Sequence, residues 1–245
     1  MKIRKSTKRR IYTSIIFILL IALVVLNTKY NILKCNMKRD HDSMSDRHYQ
    51  NIKDKITMLE EKESKDDAVK RRLAEQYNNI GIYYLDRKML DLAIESFNNS
   101  IKYGNNTADI FYSLGLAHAG RSVEKKSSDD IKQAEYYYRK AISLNGKLYD
   151  AKYGLAILLF YNKDDGQYEA VNLINDILNK NMAHYQARFA SGRFQYELGN
   201  KSEALAIYQK LSADIDKMPS SGISNEYKTQ CSNNIKRIKS ELSIE

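Results

Sequence analysis

The chain has 245 residues, 43% of them hydrophobic and 29% charged, and a formal net charge of +10. That charge sits at one end. Residues 1–39 hold ten Lys and Arg and no acidic residue, leaving 30 of the 40 basic residues to balance all 30 acidic ones, which excludes a broadly basic nucleic-acid-binding domain. Two cysteines, Cys35 and Cys231, exclude a disulfide scaffold and a thiolate metal site, and one proline, Pro219, suits long uninterrupted helices.

Residues 1–10 form a basic segment with six Lys and Arg, followed by residues 11–28 without a charge. The 18 uncharged residues between Arg10 and Lys29 would span roughly 27 Å as a helix, close to a hydrocarbon core of about 30 Å. A basic head and an apolar stretch also fit a cleaved secretory signal. Around Leu26-Asn27-Thr28 no pair of small residues marks a cleavage site, so the expectation is an uncleaved single-pass transmembrane helix. Six basic residues before the span face four within the thirteen after it, which keeps the N-terminus cytoplasmic and places the rest of the chain outside the cytoplasm, periplasmic in a bacterium.

Residues 29–50 read as a polar spacer. Residues 51–73 read as a charged linker helix, with Ile52, Ile56, Leu59, Val69 and Leu73 as a thin apolar edge. It suits either a solvent-facing stand-off or a short dimerising coiled coil, although clean heptads are not traceable.

Over residues 74–218 one pattern occurs four times: a small residue, then an alanine, then a large residue four positions later. The sets are Gly81–Ala93–Phe97, Gly115–Ala134–Tyr138, Ala156–Ala170–Ile174 and Gly192–Ala204–Tyr208. The alanines lie 41, 36 and 34 residues apart, a solenoid period. With Tyr77, Ile80 and Tyr84 around Gly81, and Ser100 after Phe97, the pattern resembles the tetratricopeptide repeat (TPR) family. The resemblance implies an all-α, TPR-like solenoid of helical hairpins in units of about 74–107, 108–148, 149–184 and 185–218. Small residues would stand where the paired helices approach, and the aromatics would fill the space around them. Three departures stand out. Lys152 and Arg188 occupy slots where the family carries an aromatic, residues 162–166 hold a two-residue excess, and residues 121–130 hold a seven-residue insertion readable as a loop or as extended helices. After Pro219, residues 223–243 read as a capping helix with Tyr227, Cys231, Ile235, Ile238 and Leu242 on one stripe.

No catalytic, metal or cofactor motif appears: His41, His48, His118 and His184 lack ligand spacing, and no phosphate loop or nucleophile elbow occurs. Neither an enzyme, a nucleic-acid binder nor a small-molecule site is expected. The resemblance implies a concave wall made by the first helix of each hairpin. The repeat register places Asn78 and Ile82 there from the first unit, and Tyr112 and Leu116 from the second. Tyr153, Ile157 and Phe160 come from the third, and Phe189, Arg193 and Tyr196 from the fourth. The aligned rings of Tyr112, Tyr153 and Phe189 either anchor a partner's peptide or helix or complete the packing between hairpins. Only Asn78 matches a slot of the family's carboxylate clamp, so recognition of a chaperone tail by that clamp is not expected. The expected function is a non-catalytic, membrane-tethered scaffold or adaptor in envelope assembly, secretion or chaperoning. A permanent or dimerising subunit of a membrane complex, or the recruiting subunit of a separate enzyme, are the alternatives.

Overall fold

The computed structural model describes residues 46–63, 65–219 and 221–243, and within them every regular element is an α-helix. The expected membrane span and most of the polar spacer lie outside these residues. Among the described residues no helix is long and apolar enough to cross a membrane.

Helix α1 occupies residues 46–60. Eight helices then pair as antiparallel neighbours: α2 (Asp67–Asp86) with α3 (Leu90–Lys102), α4 (Ala108–Lys125) with α5 (Ser128–Leu144), α6 (Tyr149–Asn162) with α7 (Gln167–Lys180), and α8 (Tyr185–Glu197) with α9 (Lys201–Ile215). Helix α10 (Gly222–Leu242) packs on α9. Successive first helices also touch, α2 with α4, α4 with α6 and α6 with α8, whereas among the described residues no Cα of α3 approaches α5, or of α5 approaches α7, within 8 Å. The first helices therefore line the inner radius of the curve.

Two boundaries differ from the sequence reading. Residues 46–50 are helical, not spacer, and the expected helix over 51–73 is two helices, one ending at 60 and the next starting at Asp67. The start of α2 has a local cause. Asp66 caps α2, its Oδ1 accepting the Val69 N–H at 2.8 Å, which fixes where that helix starts. Val69 and Leu73 then pack with Leu59, Tyr77 and Tyr103 at the start of the array. Glu60 accepts from the Tyr77 hydroxyl at 3.3 Å and from Tyr103 at 2.6 Å. That bond raises the Tyr103 hydroxyl to about 12.

Steric complementarity explains the small–large pattern. A Cβ added at Gly81 would stand 2.6 Å from the Phe97 ring, at Gly115 2.6 Å from Tyr138, and at Gly192 2.9 Å from Tyr208. In the third hairpin the large residue is Ile174, and there the small residue is alanine, Ala156; both are buried. Volume removed on one helix is matched by volume added on its partner.

The slot four residues before each small position shows how the departures are accommodated. Tyr77 stacks on Tyr103 at 5.8 Å and Phe111 on Tyr137 at 6.2 Å between ring centroids. Lys152, itself buried, instead pairs with the partly exposed Asp176, and Arg188 Nη2 reaches Asp214 Oδ2 at 2.6 Å. Two hairpins are thus closed at this slot by stacked rings and two by a cation meeting a carboxylate of the second helix, which satisfies a charge held away from water.

The insertion at 121–130 lengthens both helices of the second hairpin. Helix α4 runs to Lys125, Lys126 turns the chain in the left-handed region at φ 51°, and Ser127 caps α5 by accepting the Asp130 N–H. A buried polar network fills the extension. Asp130 accepts from Arg121 Nε at 3.0 Å and Nη2 at 2.6 Å, and its Oδ1 lies 2.7 Å from His118 Nδ1. Arg121 Nη1 reaches back to Asp91 of α3 at 2.8 Å.

At the far end, Cys231 and Ile238 of α10 are fully buried against Leu211 and Ile215 of α9, flanked by Tyr227, Ile235 and Leu242. Burial pushes the Cys231 thiol up to about 11, the state of an inert packing residue.

Candidate peptide-binding groove

The ten residues singled out in sequence lie on α2, α4, α6 and α8, and eight of them fall into three groups. At the first hairpin, Ile82 is 42% exposed, while Asn78 lines a separate hollow of about 280 Å³ with Arg71, Glu75, Tyr103 and Asn105. In the middle, Tyr112, Leu116 and Ile157 are half-buried against the core. The Tyr112 ring tilts against Tyr138 at 6.2 Å, and burial raises its hydroxyl to about 12.

The third group gathers in one open cleft of about 400 Å³ between α6, α8, α9 and α10. Tyr153, Phe189 and Arg193 line it together with Gln186, Ala190, Glu197 and Tyr208, and α10 adds Tyr227, Gln230, Asn234 and Arg237. Phe189 sits 6.1 Å from the Tyr208 ring and 5.3 Å from Tyr227, an aromatic floor. His184 fixes the start of α8: its Nδ1 accepts the Ala187 N–H at 3.1 Å, which leaves Nε2–H to donate to Asp150 at 3.2 Å. The same imidazole packs 5.8 Å from the Tyr153 ring.

Two of the ten residues have other duties. Phe160 is buried, stacked on Phe194 of the next hairpin at 3.8 Å with the rings 1° from parallel; it joins two hairpins and does not face the groove. Tyr196 donates its hydroxyl to Glu241 at 2.7 Å and carries the Arg237 guanidinium over its ring at 4.2 Å, so it anchors α10. Conversely, the sequence reading missed the wall that α10 contributes. Tyr227, Gln230, Asn234 and Arg237 follow each other at three, four and three residues, a helical stripe beside the apolar one.

Chemically the cleft offers rings, amides and guanidinium donors. Among the described residues no group of three His, Cys, Asp or Glu is placed to hold a metal ion. The buried histidine outside the cleft, His118, stacks on Tyr137 and faces Asp130, and burial lowers its pKa.

No protein-family description matches the chain, and no curated protein matches it. Solved structures do. One of MamA aligns with a TM-score of 0.50 at 22% identity, over 59% of this chain and 79% of that one. A second MamA structure gives 0.51 at 18% identity, over 73% of this chain and 99% of the other. YrrB, described as a TPR protein with an unusual peptide-binding site, gives a TM-score of 0.48 at 22% identity, over 64% of this chain and 74% of that one. Identities this low speak for the fold alone, and the two MamA structures carry that statement: the chain folds as an all-α solenoid of TPR-like hairpins.

Proposed function

We propose that this chain is a non-catalytic, membrane-tethered TPR scaffold that holds a peptide or helix of a partner protein against its first-helix wall. The observation that carries the reading is the open cleft, in which Tyr153, Phe189 and Arg193 of two successive first helices meet the inner face of α10. Rings with few rotatable bonds, held from behind by the core, contribute contact area at little entropic cost. Amide and guanidinium groups around them meet the polar backbone of a bound segment.

The tether is the uncharged stretch 11–28 bracketed by Arg10 and Lys29, with the N-terminus cytoplasmic and the repeats outside the cytoplasm. Anchoring raises the local concentration of a captured partner without any added contact. Envelope assembly, secretion and chaperoning of exported proteins are settings in which such an effect is useful. Retention of the full-length mass in carbonate-washed membranes, with the repeats open to protease from outside, supports the tether; a soluble or shortened product contradicts it.

Single substitutions test the groove. Tyr153→Ala, Phe189→Ala and Arg193→Ala are each expected to weaken capture of a selected peptide about tenfold, the effect of losing a contact of about 1.4 kcal/mol. Tyr168→Ala, on the second helix α7 and 80% exposed, is expected to leave capture unchanged. Undiminished binding in all three groove variants, at unchanged helicity, would place the partner elsewhere.

A further inference from the structure

We infer that the cleft at the capped end takes an acidic peptide segment, its carboxylates held by Arg193 of α8 and Arg237 of α10 and an adjacent apolar side chain resting on the aromatic floor. The inference deepens the proposed groove and rests on it. Its basis is how the arginines of the array are used. Arg121, Arg139 and Arg188 each meet carboxylates of this chain, Asp130 and Asp91, Glu169 and Glu135, and Asp214. Arg193 and Arg237 form no ion pair with a carboxylate among the described residues. Each is instead laid over a tyrosine ring, Arg193 over Tyr161 at 5.1 Å and Arg237 over Tyr196 at 4.2 Å. Stacking on a ring face holds a guanidinium plane in place, and Arg237 is further steadied by donating Nη2–H to Asn234 Oδ1 at 3.1 Å; the guanidinium edges not used this way can meet a carboxylate, so less freedom is lost on binding.

The two cations stand on different helices of the same cleft, and one carboxylate, Glu197, lines it with them. An excess of positive charge over apolar rings favours a ligand that pairs carboxylates with an aromatic or aliphatic side chain. The α10 wall is held rigidly enough to take part. Glu241 accepts from Tyr196 at 2.7 Å and pairs with Lys201 at 2.9 Å, Tyr185 stacks on Tyr227 at 5.7 Å, and Cys231 and Ile238 are fully buried. The capping helix thus does more than cover the end of the last hairpin. It supplies Arg237, a second cation for the cleft beside Arg193 of α8.

The test uses short random peptides displayed on phage, panned at low ionic strength against the full-length chain, with enriched sequences remade as fluorescein-labelled peptides for anisotropy. The expected winners place Asp or Glu beside an aromatic or aliphatic residue. Their affinity is expected to fall about tenfold or more in Arg193→Gln and again in Arg237→Gln, as a charge-assisted hydrogen bond is lost in each, and to weaken as added salt screens the contact. Both side chains are exposed, so both variants should keep the wild-type helicity and melting temperature, which are measured alongside. Enrichment of neutral or basic peptides, or acidic winners indifferent to both substitutions, overturns the inference. Neutral winners that Phe189→Ala abolishes would sink the acidic specificity and leave the groove standing. Recovery of no peptide would sink both.

Discussion

Tyr138→Ala is expected to destabilise the array by about 3–5 kcal/mol, the cost of emptying a buried aromatic site, seen as a large fall in the melting temperature of the full-length chain. The ring is 2% exposed and lies between two glycines, Gly115 of its own hairpin and Gly154 of the next, whose added Cβ atoms would stand 2.6 and 2.8 Å from it. Burial accordingly holds its phenol well above the ordinary range. Because the ring closes its own hairpin and also seats α6, its loss loosens an interface between neighbouring repeats, the contact on which such arrays depend. Gly115→Ala should also destabilise, by about 1–3 kcal/mol from overpacking, despite the better helix propensity of alanine. The double variant Gly115→Ala/Tyr138→Ile recreates the Ala156–Ile174 arrangement of the third hairpin. It should be more stable than the sum of the two single effects predicts. Strict additivity would mean that the small–large pairing is not what joins the two helices.

Asp130→Ala is expected to cost about 3 kcal/mol, because it strips the acceptor from Arg121 and His118 inside the protein. The same network sets the response to acid. Hydrogen bonds from Arg121, aided by those from His118 and Ser127, hold the Asp130 carboxyl at about 2, below its ordinary 3.8. A carboxyl whose pKa is depressed in the folded state contributes fully above its unfolded value, and the contribution fades as pH falls from about 4 to about 2. Burial lowers the pKa of His118 from 6.5, against the pull of its Asp130 contact. The unfolded chain therefore gains a proton there before the folded one does, and stability begins to decline once pH drops below about 6.5. Melting curves across this range should show both declines in the wild type. The lower one should be reduced in Asp130→Ala; an unchanged slope between pH 4 and pH 2 would assign the acid response to other carboxylates.

The hairpins were legible in sequence because their signature is a local steric rule. A glycine twelve residues before an alanine and sixteen before an aromatic, as in Gly81–Ala93–Phe97, states where two helices touch and what fills the gap. Lys152 and Arg188 looked like defects for the opposite reason. Their partners, Asp176 and Asp214, sit on the second helices, 24 and 26 residues away, and a slot-by-slot comparison with the repeat pattern does not pair positions across a hairpin. The start of α2 is hidden in sequence because charged, helix-favouring residues run through 51–73 and mask the N-cap that Asp66 provides. In the groove, register assigns the candidate wall to the first helices of the hairpins. It did not separate Phe160, which Phe194 of the following hairpin claims, from Phe189, which the cleft keeps. The α10 wall carried its own stripe in Gln230, Asn234 and Arg237, but polar residues beside an apolar face read equally well as a solvated one.

The most direct test of the inner-wall assignment is photo-crosslinking of a selected peptide to the full-length chain, with p-benzoylphenylalanine replacing either Gln186 at the cleft or Tyr168 on α7. Both positions are exposed, so the substitution perturbs little packing at either. Crosslinked peptide from position 186 and none from position 168 is the result predicted by binding along the first-helix wall. Crosslinking from position 168 with none from 186 would put the partner on the second-helix side and contradict the account.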